Sequence, residues 1–342
     1  MSNTQWLPGP PGPALRAIFD EMDRQGSDAR ESFADAGEVA VRLAASARRT
    51  GRLILLGMGG SHAVNRVAEA CYRDAVIDAT ALPVSEMLHA PIPGRGRTVL
   101  VTSQSGESGE VIAYLATDAT GEERYGMTLN PESALAREIP CVIGHGGMER
   151  AFAATRSLYV SLALHARVLH ELGVPQDASF RSGDIAAGAI DAAVSKLSSA
   201  QAIIFSGRGA MQGVAEAAAL CLLELARVPA FALEGGQLRH GPPEALGPGI
   251  GVVLIRQAGA GSGSGAALAK LCSDAGSPVI MFDLSGDPPP REAITISLSR
   301  ASGMAAALAV LPPIQQFGIE IARRRIADVG APVRSSKVTR GT

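Results

Sequence analysis

The stretch Val99-Leu100-Val101-Thr102-Ser103-Gln104-Ser105-Gly106-Glu107-Ser108-Gly109-Glu110 decides how the fold of this chain is interpreted. A run of aliphatic and β-branched residues ends in serines and glycines, which predicts a buried strand, a tight loop and a helix start. Such a loop favours an anion, because serine hydroxyls and the free N–H groups of a helix start donate hydrogen bonds. An ordinary strand–helix turn with serine caps explains the same stretch equally well.

The composition favours a two-domain protein of helices packed on sheets. At 342 residues the chain is long for a single core. It is 46% hydrophobic but only 4% aromatic, which suits close packing of helices on sheets. The 31 basic and 33 acidic residues give a net charge of −2. Because no basic stripe with interleaved aromatic residues occurs, nucleic acid is not expected as a partner.

The cysteines indicate neither a disulfide framework nor a metal site. Cys71, Cys141, Cys221 and Cys272 are far apart and have no neighbouring ligands at metal-binding spacing. This pattern is typical of reduced core cysteines, so we expect a cytoplasmic protein.

The chain shows no pattern that predicts a membrane segment. Residues 1–13 lack the cationic and apolar regions of a signal peptide. The longest uncharged stretch, Ala301–Ile319, contains Pro312 and Pro313. We therefore predict a buried helix that is interrupted at the prolines, and no membrane span.

The chain in order predicts one α/β unit built twice. Helices are expected from Ala14 to about Arg49 and from Glu149 to about Leu172 in the first half, and from Gln212 to Arg227 in the second. Short apolar runs predict strands at Leu53–Leu56, Ala75–Val84, Thr98–Thr102, Arg124–Thr128, Cys141–Ile143, Ala202–Phe205, Gly251–Ile255 and Val279–Phe282. Each half opens with a strand and a glycine-rich turn, and later has a strand with a Gly/Ser loop.

The glycine-rich turns do not predict a dinucleotide cofactor. Gly57–Ser61 reads G-x-G-G-S, which differs from G-x-G-x-x-G, and no acidic residue follows a second strand at the expected distance. The second Gly/Ser loop, Gln257–Ser264, lacks the Ser-x-Ser-x-x-Ser arrangement. Only the first loop is therefore expected to hold a phosphate through hydroxyls.

Residues 53–61 and 99–110 together resemble the sugar isomerase (SIS) domain family. The segment Ser103–Ser108 closely matches the family's phosphate loop, Ser-Gln-Ser-Gly-Glu-Thr/Ser. The resemblance implies two tandem doubly wound, flavodoxin-like parallel-sheet SIS domains. This arrangement is similar to the isomerase half of glucosamine-6-phosphate synthases and to stand-alone SIS-type glucosamine-6-phosphate deaminases. The implied divisions are a helical segment (1–48), a first SIS domain (49–175), a linker (176–195), a second SIS domain (196–330) and a tail that enters the active site (331–342).

Three further stretches are similar to family segments that carry functional residues. Glu224 precedes Gln237–Pro242, as a glutamate precedes the family's Glu-Leu-Lys-His-Gly-Pro segment. Pro332–Thr339 resembles the family's tail, whose lysine enters the active site. Glu149 with Thr155-Arg156 resembles a segment that lines the sugar pocket.

The resemblance implies a role for each candidate residue. Glu224 would move a proton between C1 and C2, His240 would open the sugar ring, and Lys337 would donate to the open-chain oxygen or form a Schiff base. The phosphate would be bound by Ser103, Gln104, Ser105 and Ser108. The sugar would contact Gly60, Ser61, Glu149, Ala154, Thr155 and Ser336.

The residues themselves leave simpler interpretations open. Glu224 is either a solvated helix residue or, because leucines surround it, a partly buried acid with a raised pKa. His240 would be unremarkable in a Gly/Pro loop without the motif, and a lysine so near a chain end is usually disordered. His62 either contacts sugar hydroxyls or caps a helix.

The combined expectation is a cofactor-independent enzyme that acts on a phosphosugar. The chain is expected to lack the glutaminase domain of the synthases, so release of ammonia is the expected direction: glucosamine 6-phosphate to fructose 6-phosphate and ammonia. The alternatives are a fructosamine-6-phosphate deglycase, an aldose–ketose phosphosugar isomerase and a non-catalytic phosphosugar-binding regulator. The resemblance also implies a homodimer in which His240 reaches the neighbouring subunit's active site.

Overall fold

The computed structural model describes residues 10–93, 96–180 and 182–339. Residues 1–9 lie outside the described residues; they include the start of the predicted N-terminal segment and most of the stretch tested for a signal peptide. Residues 340–342, the end of the predicted tail, also lie outside them.

Two five-stranded parallel sheets form the framework. The strands are β1 (Arg52–Gly57), β2 (Asp78–Pro83), β3 (Arg97–Thr102), β4 (Glu122–Thr128), β5 (Cys141–Ile143), β6 (Ala202–Ser206), β7 (Ala230–Ala232), β8 (Ile250–Gln257), β9 (Val279–Leu284) and β10 (Ile294–Ser297). The first sheet has the order β2-β1-β3-β4-β5, and the second has the order β7-β6-β8-β9-β10. The two orders correspond strand for strand, which confirms the predicted tandem pair of doubly wound, flavodoxin-like α/β units.

Helices cover both faces of each sheet. They are α1 (Pro13–Asp35), α2 (Gly37–Thr50), α3 (Gly59–Asp74), α4 (Val84–His89), α5 (Gly109–Leu115), α6 (Ala134–Glu138), α7 (Arg156–Glu171), α8 (Ala189–Lys196), α9 (Ala210–Ala226), α10 (Gly263–Asp274) and α11 (Gly303–Arg323). Two short 3-10 turns lie between β7 and β8, at Gln237–Arg239 and Pro242–Ala245. Sequence analysis missed the short strands β7 and β10, and the predicted linker 176–195 contains most of α8.

The two units share one hydrophobic core. Side chains alternate along each strand, so Leu53 and Leu55 of β1 face the shared core while Ile54 and Leu56 face a separate outer cluster. Helices α3, α7, α9 and α11 cover the inner faces of both sheets. Helices α4, α5 and α6 cover the outer face of the first sheet, and α10 covers that of the second.

The two units pack closely where α3 meets α9. A Cβ atom on Gly213 of α9 would lie 2.3 Å from the Val67 backbone nitrogen and 2.7 Å from the Ala63 carbonyl oxygen of α3. Only glycine therefore allows the two helix backbones to pack at this distance.

The predicted start of α7 is wrong. The helix begins at Arg156 and not at Glu149, because the Glu149 side chain accepts a hydrogen bond from the Thr155 backbone N–H at 2.8 Å. Residues 149–155 thereby form a non-helical segment that ends at the helix start.

The predicted interruption of the C-terminal helix at its prolines is also wrong. Helix α11 continues through Pro312 and Pro313. Pro313 cannot bond the carbonyl one turn earlier, that of Ala309, and this oxygen instead accepts the Gly183 backbone N–H at 3.1 Å. By length and composition α11 passes as a membrane-span candidate, but 78% of its apolar window is buried within the protein.

We predict that Gly213→Ala lowers the free energy of unfolding by about 1–3 kcal/mol, because the added methyl group forces α3 and α9 apart. Urea unfolding measures the change. Gly247→Ala is the matched control: a Cβ at Gly247 would meet no atom within 4 Å, so its effect should stay within about 0.5 kcal/mol. Equal stability of the two variants would contradict this account of the contact between the units.

Candidate active site

The main cavity opens where the first sheet's carboxyl edge faces α9, and its volume is about 340 Å³. Four segments and one helix meet there: the turn after β1, the loop after β3, the start of α7, helix α9 and the C-terminal tail. Parallel sheets bind ligands at this edge because the loops after neighbouring strands converge there. The lining side chains are those of Met58, Ser61, Thr102, Ser103, Gln104, Ser105, Ser108, Glu110, Val111, Phe152, Ala154, Ser157, Leu158, Ser161, Leu220, Glu224 and the tail residues Ser335–Thr339, together with Gly59 and Gly60.

The serine loop is held in shape by its own hydroxyl oxygens. Ser103 Oγ accepts the Gly106 backbone N–H at 3.1 Å, and Ser105 Oγ accepts the Glu107 N–H at 3.2 Å. Gly106 has a φ of +65°, and a Cβ there would lie 2.3 Å from Ser133 Oγ, so the turn requires glycine. Because both serine oxygens act as acceptors, their hydroxyl hydrogens remain available to donate to an anion in the cavity.

Gln104 offers the cavity a further donor. Its backbone carbonyl is fixed by the Leu129 N–H and the Thr128 hydroxyl, each at 3.2 Å. Its side-chain Nε2 is buried and has no hydrogen-bond partner among the described residues. An unpaired buried amide N–H is costly, so a ligand oxygen at this position would stabilise the loop.

Glu224 lies on the side of the cavity formed by α9. The pKa of its carboxyl group is raised to about 7, mainly by burial; the charge of Lys337 opposes this rise, and the nearby carboxylate of Glu149 adds to it. A carboxyl group with this pKa exchanges a proton near neutral pH, as a general acid–base group must.

The C-terminal tail closes the cavity and carries Lys337 into it. The Gly109 N–H donates to the Thr339 carbonyl at 3.2 Å, which attaches the tail to the serine loop. Lys337 Nζ donates to Glu149 Oε2 at 2.9 Å. The tail is therefore ordered by specific contacts to both the loop and the segment that precedes α7.

Glu149 lies beneath the cavity and positions Lys337. Its side chain is fully buried and accepts hydrogen bonds from the Thr155 N–H, the Thr155 hydroxyl and the Ser157 hydroxyl, at 2.8, 2.9 and 2.5 Å. Glu149 and Thr155, which were expected to contact the sugar, are therefore not among the lining residues. Gly60, Ser61, Ala154 and Ser336 do line it.

Arg156 points away from the cavity. Its buried guanidinium pairs with Glu21 and Asp28 of α1 at 2.5 and 2.9 Å, and donates to the His145 and Gly147 carbonyls. These ion pairs link α7 to α1, so Arg156 does not line the sugar pocket as expected.

His240 and His62 do not line the cavity. His240 follows the 3-10 turn Gln237–Arg239 and its side chain is exposed on the surface. His62 lies in the first turn of α3, where burial and the charge of Arg66 lower the pKa of its imidazole. The structure thus brings together the serine loop, Glu224 and Lys337 within one subunit, but not His240.

Sequence reasoning missed a buried polar chain that ends at the cavity. Thr102 Oγ1 donates to Asn65 Oδ1 at 2.8 Å, and His165 Nε2 lies 3.2 Å from the same oxygen. Burial lowers the pKa of His165 to about 3, so the ring is neutral and its Nδ1 accepts from Tyr72 Oη at 3.1 Å. The signal available was the occurrence of Asn65 and His165 on the mostly apolar faces that their helices bury.

Within residues 10–93, 96–180 and 182–339, no group of three or more His, Cys, Asp and Glu side chains is arranged to hold a metal ion.

Comparison with known proteins finds a family match in the second unit. The family model of the SIS domain matches residues 196–314. The chain is 26% identical over 279 residues to glutamine–fructose-6-phosphate aminotransferase (isomerizing) of Gloeobacter violaceus, covering 74% of this chain and 46% of the relative. The same enzyme of Zymomonas mobilis is 24% identical over 272 residues, covering 72% and 44%. The chain thus spans about half the length of these curated relatives.

Solved structures of phosphosugar enzymes share the complete fold. The C-terminal domain of glucosamine-fructose-6-phosphate aminotransferase from Francisella tularensis superposes with a TM-score of 0.80 at 18% identity, covering 92% of this chain and 98% of that one. Glucosamine-6-phosphate deaminase from Thermotoga maritima superposes with a TM-score of 0.74 at 19% identity, covering 94% of this chain and 99% of that one. Tagatose-6-phosphate ketose/aldose isomerase from Escherichia coli gives 0.76 at 19% identity, with 96% and 100% covered. Residues 196–314 thus match the SIS domain model, and the whole chain has the two-unit fold of these solved structures.

Proposed function

We propose that the chain is an aminosugar-phosphate deaminase and isomerase that converts glucosamine 6-phosphate and water to fructose 6-phosphate and ammonia. The observation that carries the proposal is the Glu224 carboxyl group, whose pKa is raised to about 7, in the same cavity as the serine loop. The serine loop supplies hydrogen-bond donors for a phosphate, and the Glu224 carboxyl group can transfer a proton elsewhere in the same cavity. The similarity to a solved structure described as a glucosamine-6-phosphate deaminase supports this assignment.

The proposed reaction uses the chain's own side chains. Hydroxyls of Ser103, Ser105 and Ser108 and the Gln104 amide hold the phosphate, which positions the open-chain sugar. The Glu224 carboxylate takes the proton from C2 and returns it to C1, which leaves an imine at C2. Water adds to this imine, the C2–N bond breaks, and ammonia leaves as the ketose forms.

Lys337 is proposed to stabilise the sugar oxygen as charge develops on it. Its Nζ already donates to Glu149, and an ammonium group fixed in this way is suited to donate further hydrogen bonds. Nucleophilic attack by Lys337, the Schiff-base alternative, would require this ion pair to break first.

A deglycase is a second candidate, because a recess of about 450 Å³ adjoins the main cavity. The two share Phe152, Glu224 and Ser335 as lining residues. A substituent on the sugar nitrogen would extend into this recess, beside the exposed side chains of Phe231 and Val333. An aldose–ketose isomerase would use the same proton transfer without loss of nitrogen. A non-catalytic regulator would gain nothing from a buried carboxyl group with a neutral pKa.

We further propose a cytoplasmic homodimer in which His240 enters the partner's cavity and opens the sugar ring. The exposure of His240 outside its own cavity supports this arrangement. The four cysteines are free, which suits a reducing compartment.

We predict that the purified protein releases ammonia from glucosamine 6-phosphate, measured with a coupled dehydrogenase assay, and that Glu224→Gln lowers kcat about 10²–10⁴-fold. The acidic limb of the kcat/KM profile should fall near pH 7 and not near 4.5, because the base must be ionised. Phosphosugar binding without ammonia release by the unsubstituted protein would exclude the deaminase assignment.

The control for this variant is its folding stability as a function of pH. A carboxyl group whose pKa is raised on folding binds more protons in the native state, so the unsubstituted protein loses stability as pH rises from about 4.5 to about 7. Glu224→Gln should lack this loss, so its free energy of unfolding at pH 8 should exceed that of the unsubstituted protein by on the order of 3 kcal/mol. Inactivity together with lower stability at pH 8 would point to misfolding.

We predict that Ser105→Ala raises KM for glucosamine 6-phosphate about 10-fold, because one hydroxyl donor to a charged phosphate is lost. Initial-rate kinetics measure the change. Ser27→Ala, which removes an exposed hydroxyl on α1, should leave KM unchanged. If Ser105→Ala also left KM unchanged, the loop would not be the phosphate anchor.

We predict that mixing the inactive variants His240→Ala and Glu224→Gln restores part of the activity. In a mixed dimer one site would combine an intact Glu224 with an intact His240 from the other subunit. Equal mixing, unfolding and refolding, followed by the ammonia assay, measures the recovery. No recovery, with dimers confirmed by sedimentation, would contradict the proposed sharing of His240.

A further inference from the structure

A second cavity, of about 70 Å³, lies at the carboxyl edge of the second sheet, between the ends of β6 and β8. Ser206 ends β6 and pairs with Leu254 of β8, as Gly57 at the end of β1 pairs with Thr102 of β3. The cavity therefore occupies the position in the second unit that the serine loop occupies in the first. It shares no lining residue with the main cavity.

The floor of this cavity presents an unpaired hydroxyl group. Ser206 is 2% exposed and lines the cavity, and its Oγ has no hydrogen-bond partner among the described residues. A buried hydroxyl without a partner destabilises a folded protein. A bound acceptor would remove this cost.

The lining is rich in hydrogen-bond donors. The described lining residues include two arginines, three serines and Gln257, but no Asp or Glu. The buried charge of Arg256 is balanced by Asp283, to which it donates at 2.9 and 2.6 Å. Gln257 Oε1 accepts the Gly303 N–H, so the orientation of its amide leaves Nε2 as a donor.

Arg208 supplies the charge at the rim. Its Nε lies 3.4 Å from Glu234 Oε1, a long and largely exposed contact, and the other Glu234 oxygen accepts two backbone N–H groups. A Cβ at Gly235 would lie 2.9 Å from Arg208 Nε, and one at Gly261 would lie 3.8 Å from its Nη1. The guanidinium thus crosses the rim between two glycines that leave room for it.

We propose that this cavity is a second anion site, which takes the phosphate group of a phosphate monoester or free inorganic phosphate. Its volume admits a phosphate group but not a hexose, so the rest of a monoester would extend outward past Arg208. The loop Gln257–Ser264 lacks the serine pattern of the first loop. The Ser206 hydroxyl and the Arg208 guanidinium act as the donors in place of those serines. This site does not depend on the proposed function of the main cavity.

Calorimetric titration with inorganic phosphate at fixed ionic strength tests the proposal. The unsubstituted protein should bind two equivalents, one in each cavity. Arg208→Ala and Ser206→Ala should each lose the second equivalent or weaken it at least tenfold, while the control Arg239→Ala, an exposed arginine of the same unit, should keep both. Ser206→Ala removes a hydroxyl that has no partner, so its Tm without phosphate should not fall.

A parallel titration with glucosamine 6-phosphate in the Glu224→Gln background distinguishes the two sources of the anion. If glucosamine 6-phosphate binds the Arg208-dependent site more tightly than inorganic phosphate does, the site is assigned to a monoester. If it binds more weakly, the site is assigned to free phosphate. Two equivalents retained in both Arg208→Ala and Ser206→Ala, or a single equivalent in the unsubstituted protein that neither variant changes, would overturn the proposal.

Discussion

The burial of the Glu224 carboxyl group beside the Glu149–Lys337 ion pair is the constraint on which the rest of the site depends. Glu149 receives three hydrogen bonds from the start of α7 and a fourth from Lys337. Glu224 has the charge of Lys337 nearby but is also desolvated, and desolvation has the larger effect on its pKa. Glu149 thereby holds the lysine in place, and Glu224 is left to exchange a proton.

The tandem fold is what places these groups together. The serine loop follows β3 of the first sheet, whereas Glu224 lies on α9, which belongs to the second unit. The two meet because α3 and α9 pack at a distance that only glycine at position 213 permits. The tail adds Lys337 after both units are complete. The main cavity is therefore a product of the packing between units, and neither unit contains it alone.

Much of this arrangement could be predicted from sequence, and the failures have physical causes. Apolar runs and glycine turns identified the long strands of both sheets, because buried parallel strands have continuous apolar sequences. Residues 149–155 contain residue types that also occur in helices, but the Glu149 side chain accepts the Thr155 N–H, a side-chain contact that the sequence pattern does not reveal. The prolines of α11 were expected to break it, but Gly183 supplies a hydrogen-bond donor for the carbonyl that Pro313 leaves free.

For the candidate site, sequence identified the loop serines, Glu224 and Lys337, and these do share one cavity; their roles remain predictions. Single small residues such as Ser157 and Ser161 of α7 gave no signal, since a lone serine in a helix is usually not functional. The leucines around Glu224 did predict its burial.

The most direct test of the account is the titration of the Glu224 carboxyl group by ¹³C NMR, with the signal assigned by its loss in Glu224→Gln. The account predicts a midpoint near pH 7 in the folded protein. A midpoint near the ordinary value of about 4.5 would show that burial does not prepare this group for proton transfer, and would contradict the central claim.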